Sequence, residues 1–270
     1  MASRHERERS DLSMRESKVN GFLFLLGLLV GWEAIAQAQW LNPLIVPALS
    51  RVIRIFLELV WSGQIPLQIL ASLKRAALGY CLAAVVFIPL GLCMGLFDRF
   101  YRALEIVMEM LRPIPPPVVI PVALLLFGLE DEMKVFVIFF SCAWPILLNT
   151  IDSVRSIDRV LLQTARTFGL TQRKIIWKVI LPACAPQIMT GLRVSLPITL
   201  ILVVISEMVG STDGIGYFIL DSQRRFRVAQ MYAGMLALAI LGYTLNQLFA
   251  VLYRRLMSWH WGMLRTKDEG

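Results

Sequence analysis

Two runs of more than twenty residues, Ala76–Phe97 and Met231–Tyr253, contain no charged side chain at all. About 20 such residues cross a bilayer as a helix, and in lipid the backbone must satisfy its own hydrogen bonds. These runs exclude an ordinary soluble domain and predict an all-α integral membrane protein. Composition agrees, because only 17% of the 270 residues are charged, against about 25% in soluble domains. No linker or low-complexity stretch divides the chain, so a single membrane domain is expected.

Further spans follow the same rule. Val135–Ile151 is shorter but equally free of charge, and Gly21–Trp40 carries Glu33 with Trp32 and Trp40 suited to an interface. A fifth span, about 103–129, is broken by Arg112–Pro117, and a sixth, Pro186–Glu207, holds Pro197 in its interior. Six transmembrane helices result. The first reads as a retained helix rather than a signal peptide, since it is too long and lacks a cleavage context. It follows a polar tail over 1–20, and a second tail occupies 263–270.

With six spans, both termini share one side. The segments on that side hold 17 Lys and Arg, the opposite side holds eight, and Arg112 and Arg193 fall within spans. The positive-inside rule therefore predicts cytoplasmic termini. The net charge of +8 sits beside apolar spans and suits an anionic leaflet better than nucleic acid. Cys81, Cys93, Cys142 and Cys184 are scattered singly and read as small core residues, and His5 and His260 suggest no metal site. Between Pro43 and Pro66, apolar residues share a face interrupted by Arg51, Arg54 and Glu58 on the other. An amphipathic helix on the outer surface and a connector packed against the bundle fit equally.

The segment QTARTFGLTQRKIIWKVILP, residues 163–182, is a basic interruption between apolar runs. Val160, Leu161, Thr164, Ala165 and Phe168 share one face of a helix begun near Asp158. Gly169 stands where a left-handed residue ends a helix. Thr171 then caps a second helix, and Pro182 follows its final turn. No G-x-x-x-x-G-K phosphate loop occurs anywhere, so ATP hydrolysis by that route must come from another protein.

This loop resembles the EAA loop of bacterial ABC-importer permeases, E-A-A, three residues, G, nine residues, I-x-L-P. Gln163-Thr164-Ala165, Gly169 and Val179-Ile180-Leu181-Pro182 keep that spacing, departing at the first two letters and at Val179. The likeness extends over residues 70–262. LKRAALGYCLAAVVFIPLGLCMG is similar to the family's second span and LRPIPPPVVIPVALLLFGL to its proline-broken third. Glu207, followed after six residues by Gly214-Ile215-Gly216-Tyr217, is similar to the end of its fifth span and the next loop. The nearest subgroup is that of nitrate, sulfonate, taurine and bicarbonate uptake.

The resemblance implies the type I ABC importer permease fold with a cytoplasmic coupling helix in a loop over 155–182. It implies a transport subunit of the inner membrane, not an enzyme, moving a small anion with a sulfonate such as taurine favoured. Nitrate, bicarbonate and other organic acids stay open. Partners would be a second, identical permease chain, two ATPase subunits carrying ATP and Mg, and a periplasmic substrate-binding protein. No cofactor or metal is expected in this chain. Coupling contacts would be Gln163, Thr164, Ala165, Arg166, Thr167, Phe168, Gly169 and Leu170, with Phe168 as anchor.

The translocation path would involve Arg112, Pro113, Pro115, Pro116, Asn149, Arg193 and Glu207. Prolines break helices, and irregular backbone at membrane depth is tolerated only inside protein or along a cavity. Intramembrane charge is a functional candidate, although Arg112 and Arg193 fit equally as snorkelling residues at span ends, and Glu207 as a partner for an arginine or for the Gly214–Gly216 loop. The binding protein would dock at Gly214, Gly216, Arg224, Arg225 and Arg227. A secondary transporter would need repeated broken helices and coupling-ion carboxylates. A membrane enzyme would need clustered His, Asp or Cys within the spans, and neither pattern is present.

Overall fold

Long apolar segments with internally bonded backbone become long helices, and the computed structural model contains them. It describes residues 20–257 apart from 22, 25, 39–41, 43 and 44; the expected tails, save Asn20, and both histidines lie outside the described residues. The elements are α1 (Leu26–Gln37), α2 (Leu49–Trp61), α3 (Gln64–Leu96), α4 (Asp98–Leu111), a 3-10 turn (Pro116–Val119), α5 (Ile120–Phe127), α6 (Asp131–Arg155), α7 (Arg159–Thr167), α8 (Gln172–Ile175), a π-helical turn (Ile176–Ile180), α9 (Leu181–Gly210), α10 (Ile215–Arg224) and α11 (Val228–Leu256). No strand occurs among the described residues.

Among the described residues, four helices are long and apolar enough to cross a membrane: α3, α6, the continuous α8–α9 unit over Gln172–Gly210, and α11. The segment expected to cross from Ala103 is two helices, α4 and the 116–127 unit, meeting at 90°. Prolines 113, 115, 116 and 117 remove four backbone donors there, and Pro115 adopts the extended geometry (φ −61°, ψ 127°) that a following proline imposes. Described α1 is apolar but shorter than a crossing.

The core is a three-helix stack. Gly79 of α3 lies against Ile138 of α6 and Gly91 lies against Thr150, so α3 and α6 run in the same direction. Helix α9 returns antiparallel, with Gly191 against Pro145 and Asn149 and with Thr199 beside Cys142. Small residues let these backbones approach closely, the usual means of joining helices in lipid.

Several boundaries differ from expectation. Helix α3 begins at Gln64, twelve residues before the charge-free run, and so contains Lys74 and Arg75 as well as Pro66, which occupies its first turn. Helix α2 packs on the bundle: Val52 and Leu59 are buried, and Leu59 joins Ile65, Ile215, Phe218 and Ala237. Its opposite flank, with Ile53, Leu57 and Trp61, is exposed. Only Cys142 and Cys184 are core residues, while Cys81 and Cys93 lie exposed on α3.

A Cβ added to Gly91 would stand 2.7 Å from Thr150 Cβ and 3.1 Å from the Leu147 carbonyl. Gly91→Val is expected to force α3 from α6 and cost on the order of 1–3 kcal/mol or more. Gly242→Val, which meets only Leu200 Cδ1 at 3.4 Å, should be far milder. Thermal unfolding midpoints of both variants in detergent check this, and equal midpoints would contradict the α3–α6 crossing.

Candidate functional site

Helix α3 carries Gln68, Ser72 and Arg75 at i, i+4 and i+7, one polar stripe on an apolar helix. Facing it is Glu207 near the end of α9, 1% exposed. Arg75 Nη1 donates to Glu207 Oε1 at 2.9 Å, its Nε donates to Asp131 Oδ1 at 2.6 Å, and its Nη2 donates to Asp213. Buried Lys134 donates to the carbonyls of Leu129 (2.8 Å) and Glu130 (3.2 Å). Arg75 therefore ties α3, α6, α9 and the 211–214 loop at one point.

The same groups build the start of α10. The first N–H groups of a helix have no intrahelical partner. Here Gly214 N donates to Gln68 Oε1 (2.6 Å), Ile215 N to Ser72 Oγ (2.8 Å) and Gly216 N to Glu207 Oε2 (2.9 Å). The Glu207 carboxylate thus also faces the positive end of the α10 dipole. Gly214 has φ 102°, and a Cβ on it would strike the Glu207 carboxylate. A Cβ on Gly216 would strike the Val204 carbonyl. The hydrogen bond from Arg75 holds the Asp213 carboxyl below the usual carboxylate range.

Two expectations change here. Gly214 and Gly216 are buried against Glu207 and offer no docking surface. Glu207, expected on the translocation path or as a partner for an arginine or the loop, accepts hydrogen bonds from Arg75, Ser72 and Gly216. Arg75 and Lys134, which belong to the eight Lys and Arg expected on the side opposite the termini, are buried members of this cluster.

At the other end, α6 leads through Arg155 into the 155–182 loop. Arg155 lies 3.5 Å from the ring centroid of Tyr101 and bonds Asp98, fixing α4 beside the loop. Asp158 caps α7 by accepting from Val160 N at 2.8 Å. Gly169 ends it at φ 72°, with Gly169 N donating to Arg166 O and Leu170 N to Ala165 O. This is the left-handed terminator expected from the sequence. Ala165 and Leu170 face inward and pack with Val154, Ile175 and Ile180. Gln163, Thr164, Arg166, Thr167, Phe168 and Gly169 face outward. The expected single face is split: Ala165 is buried, while Val160, Leu161, Thr164 and Phe168, the last 80% exposed, form an outer ridge.

Beyond the corner, Thr171 occupies the N-cap position of α8 without a side-chain bond. Pro182 does not end this helix. The π-helical turn Ile176–Ile180 carries the chain into α9 with Pro182 in that helix's first turn, where its missing N–H is tolerated.

Between the two ends, α9 exposes Gln187, Thr190, Arg193, Pro197 and Ile201 along one side. Gln187 Nε2 donates to Asn149 Oδ1 at 3.0 Å, which in turn donates through Nδ2 to the Pro145 carbonyl. Arg193 lies near the middle of α9 and makes no ion pair among the described residues. Arg112 is an exposed C-cap at the α4 corner, with Pro113 and Pro115 exposed beside it and Pro116 half-buried.

A family model described as binding-protein-dependent transport system inner membrane component matches residues 87–259. The putative aliphatic sulfonates transport permease protein SsuC of Bacillus subtilis (strain 168) is 30% identical over 89% of this chain and 87% of its own length. The taurine transport system permease protein TauC of Escherichia coli (strain K12) is 28% identical, with 86% of each chain covered. The nitrate import permease protein NrtB of Leptolyngbya laminosa is 33% identical over 70% of this chain and 68% of its own. In fold the chain resembles a chain of the MetNI methionine ABC transporter, with a TM-score of 0.58 at 20% identity over 68% of this chain and 92% of the other.

Removing one partner of a buried pair leaves an uncompensated charge and costs about 3–5 kcal/mol, whereas replacing both by apolar groups costs far less. Arg75→Met should therefore destabilise the chain severely and free the start of α10. Arg75→Met combined with Glu207→Leu should recover part of that loss. Thermal unfolding in detergent, with hydrogen exchange of residues 213–218, checks this; a double variant no better than the single one would deny the coupling.

Proposed function

This chain belongs to the family of binding-protein-dependent transport system inner membrane components, and on that premise we propose that it carries a small anion, first of all a sulfonate such as taurine, into the cytoplasm. It is a multi-pass ABC-importer permease with the fold of that class, a transport subunit. Two of the relatives are named for aliphatic sulfonates and taurine. Nitrate is the second reading, supported by the NrtB relative.

The observation that carries the proposal is the polar stripe on α9. An arginine in mid-span is costly against hydrocarbon and favours a protein-lined or water-filled path. Arg193, with Thr190, Gln187 and Asn149 beside it, would supply positive charge and hydrogen-bond donors to an anion in such a path, completed by a second copy of the chain. The corner at Arg112–Pro117, with Pro113, Pro115 and Pro116, would border it.

In this reading the α7 ridge is the handle for the ATPase subunits, which bind ATP and Mg. Phe168 presents an aromatic anchor, and Val160, Leu161 and Thr164 its surroundings. The inward packing of Ala165 and Leu170 makes the handle rigid with α6 and α9. Both termini and the ridge would then lie in the cytoplasm. The α10 end would face the periplasm, where Arg224 and Arg225 would meet an acidic binding protein.

Phe168→Ala is expected to weaken ATPase-subunit association by roughly 2 kcal/mol or more. Gly169→Val forces a β-branched residue into a left-handed conformation at a cost of about 1–2 kcal/mol or more, misplacing the ridge. Pull-down of the ATPase from detergent and uptake in vesicles, normalised to permease level, check both; full association with full uptake would reduce the ridge to a surface helix. In the same vesicles, Arg193→Gln should slow taurine uptake at least about tenfold while leaving ATPase association intact. Unaltered uptake would remove Arg193 from the path.

A further inference from the structure

The corner between α10 and α11 is closed by a double-bonded turn: Phe226 N donates to Gln223 O and Arg227 N to Ser222 O. Such a turn places one residue in the left-handed region, where glycine is cheap. Here that residue is Phe226, at φ 57°, which is 87% exposed and stands at the edge of a cavity. The chain therefore holds an aromatic residue in a strained conformation with no internal packing in return. That cavity, of about 310 Å³, lies between this corner and α2. Arg227 lines it from one side and Arg51 from the other, with apolar walls from Pro47, Ile55 and Val228. Neither arginine makes an ion pair or side-chain hydrogen bond among the described residues. Arg224 and Arg225 are not part of the lining.

We propose that this cavity binds the phosphate of an anionic phospholipid. Two arginines from separate elements converge on one small volume, which suits a single compact anion. The apolar walls suit the glycerol and the first acyl carbons. The cavity lies at the first residue of a 29-residue span and beside amphipathic α2, the level at which headgroups begin. Phe226 then rests in the interfacial layer that aromatic side chains favour.

The test uses the full chain in its transporter complex, purified and exchanged into nanodiscs of phosphatidylcholine with a minority of phosphatidylglycerol, followed by native mass spectrometry of retained lipid. Wild type should retain phosphatidylglycerol preferentially. Arg51→Gln with Arg227→Gln should lose roughly tenfold of that preference, while Arg224→Gln with Arg225→Gln should keep it. Phe226→Gly should raise the thermal midpoint and lower retention. Equal loss in both double variants would mean diffuse surface charge and overturn the site. Displacement by millimolar inorganic phosphate would assign it to a free anion instead. Unchanged lipid retention with impaired ATPase stimulation by the binding protein in Arg51→Gln/Arg227→Gln would make it a protein-docking surface. A lowered midpoint for Phe226→Gly would show that its ring supports the fold.

Discussion

The contact between Arg75 and Glu207 is the constraint on which the α10 end of the bundle depends. An ion pair this deeply buried contributes little net stability of its own, because desolvation offsets most of the attraction. Its importance is positional. Glu207 can satisfy Ser72, Gly216 and Arg75 together only if α3, α9 and the start of α10 hold one relative placement. Asp131 and Asp213 extend the same arginine to α6 and to the loop. A purely apolar junction would allow these helices to slide by a turn; the directional hydrogen bonds of one guanidinium and one carboxylate do not.

That junction matters because of what lies at the far end of the same helix. Gln172–Gly210 runs as one unit of 39 residues, roughly 60 Å at 1.5 Å per residue. Gly169 and the α7 ridge stand at its beginning and Glu207 near its end. The π-helical turn lets the unit pass Pro182 without a break. Helix α6, about 38 Å long at 1.5 Å per residue, packs along α9 from Asp131 at the Arg75 junction to Arg155 beside the loop. A displacement imposed at the ridge therefore reaches the Arg75 junction through two close-packed rods rather than through flexible connections.

How much of this was readable in advance differed by element. Charge-free runs declared the membrane helices, and Gly169 declared its corner, because a left-handed terminator has a nearly unique residue preference. Arg75 escapes the sequence for a physical reason: Lys74 and Arg75 precede a charge-free window, so a span delimited by charge starts at Ala76, and Gln68 and Ser72 fall between it and the connector that ends at Pro66. Gly214 and Gly216 kept a recognisable spacing from Glu207, but spacing does not tell a docking loop from a carboxylate cradle. The 90° corner at Arg112–Pro117 was visible as a break and not as an angle, since prolines remove hydrogen bonds without specifying where the next helix goes.

The exposed surface divides along the same physical lines. Leu125 and Leu126 on short apolar α5 and Leu248 and Leu252 on α11 stand exposed, as expected of side chains that meet lipid or another apolar helix, and they need no polar company. Arg193, Thr190 and Gln187 are exposed on a spanning helix too, yet they form a polar line that hydrocarbon would penalise at each position. One chain therefore presents two incompatible solvents along its length. In the proposed assembly, pairing two such chains through the polar side would remove the conflict, because the stripe of each copy would face a shared interior and leave the leucine surfaces to the bilayer.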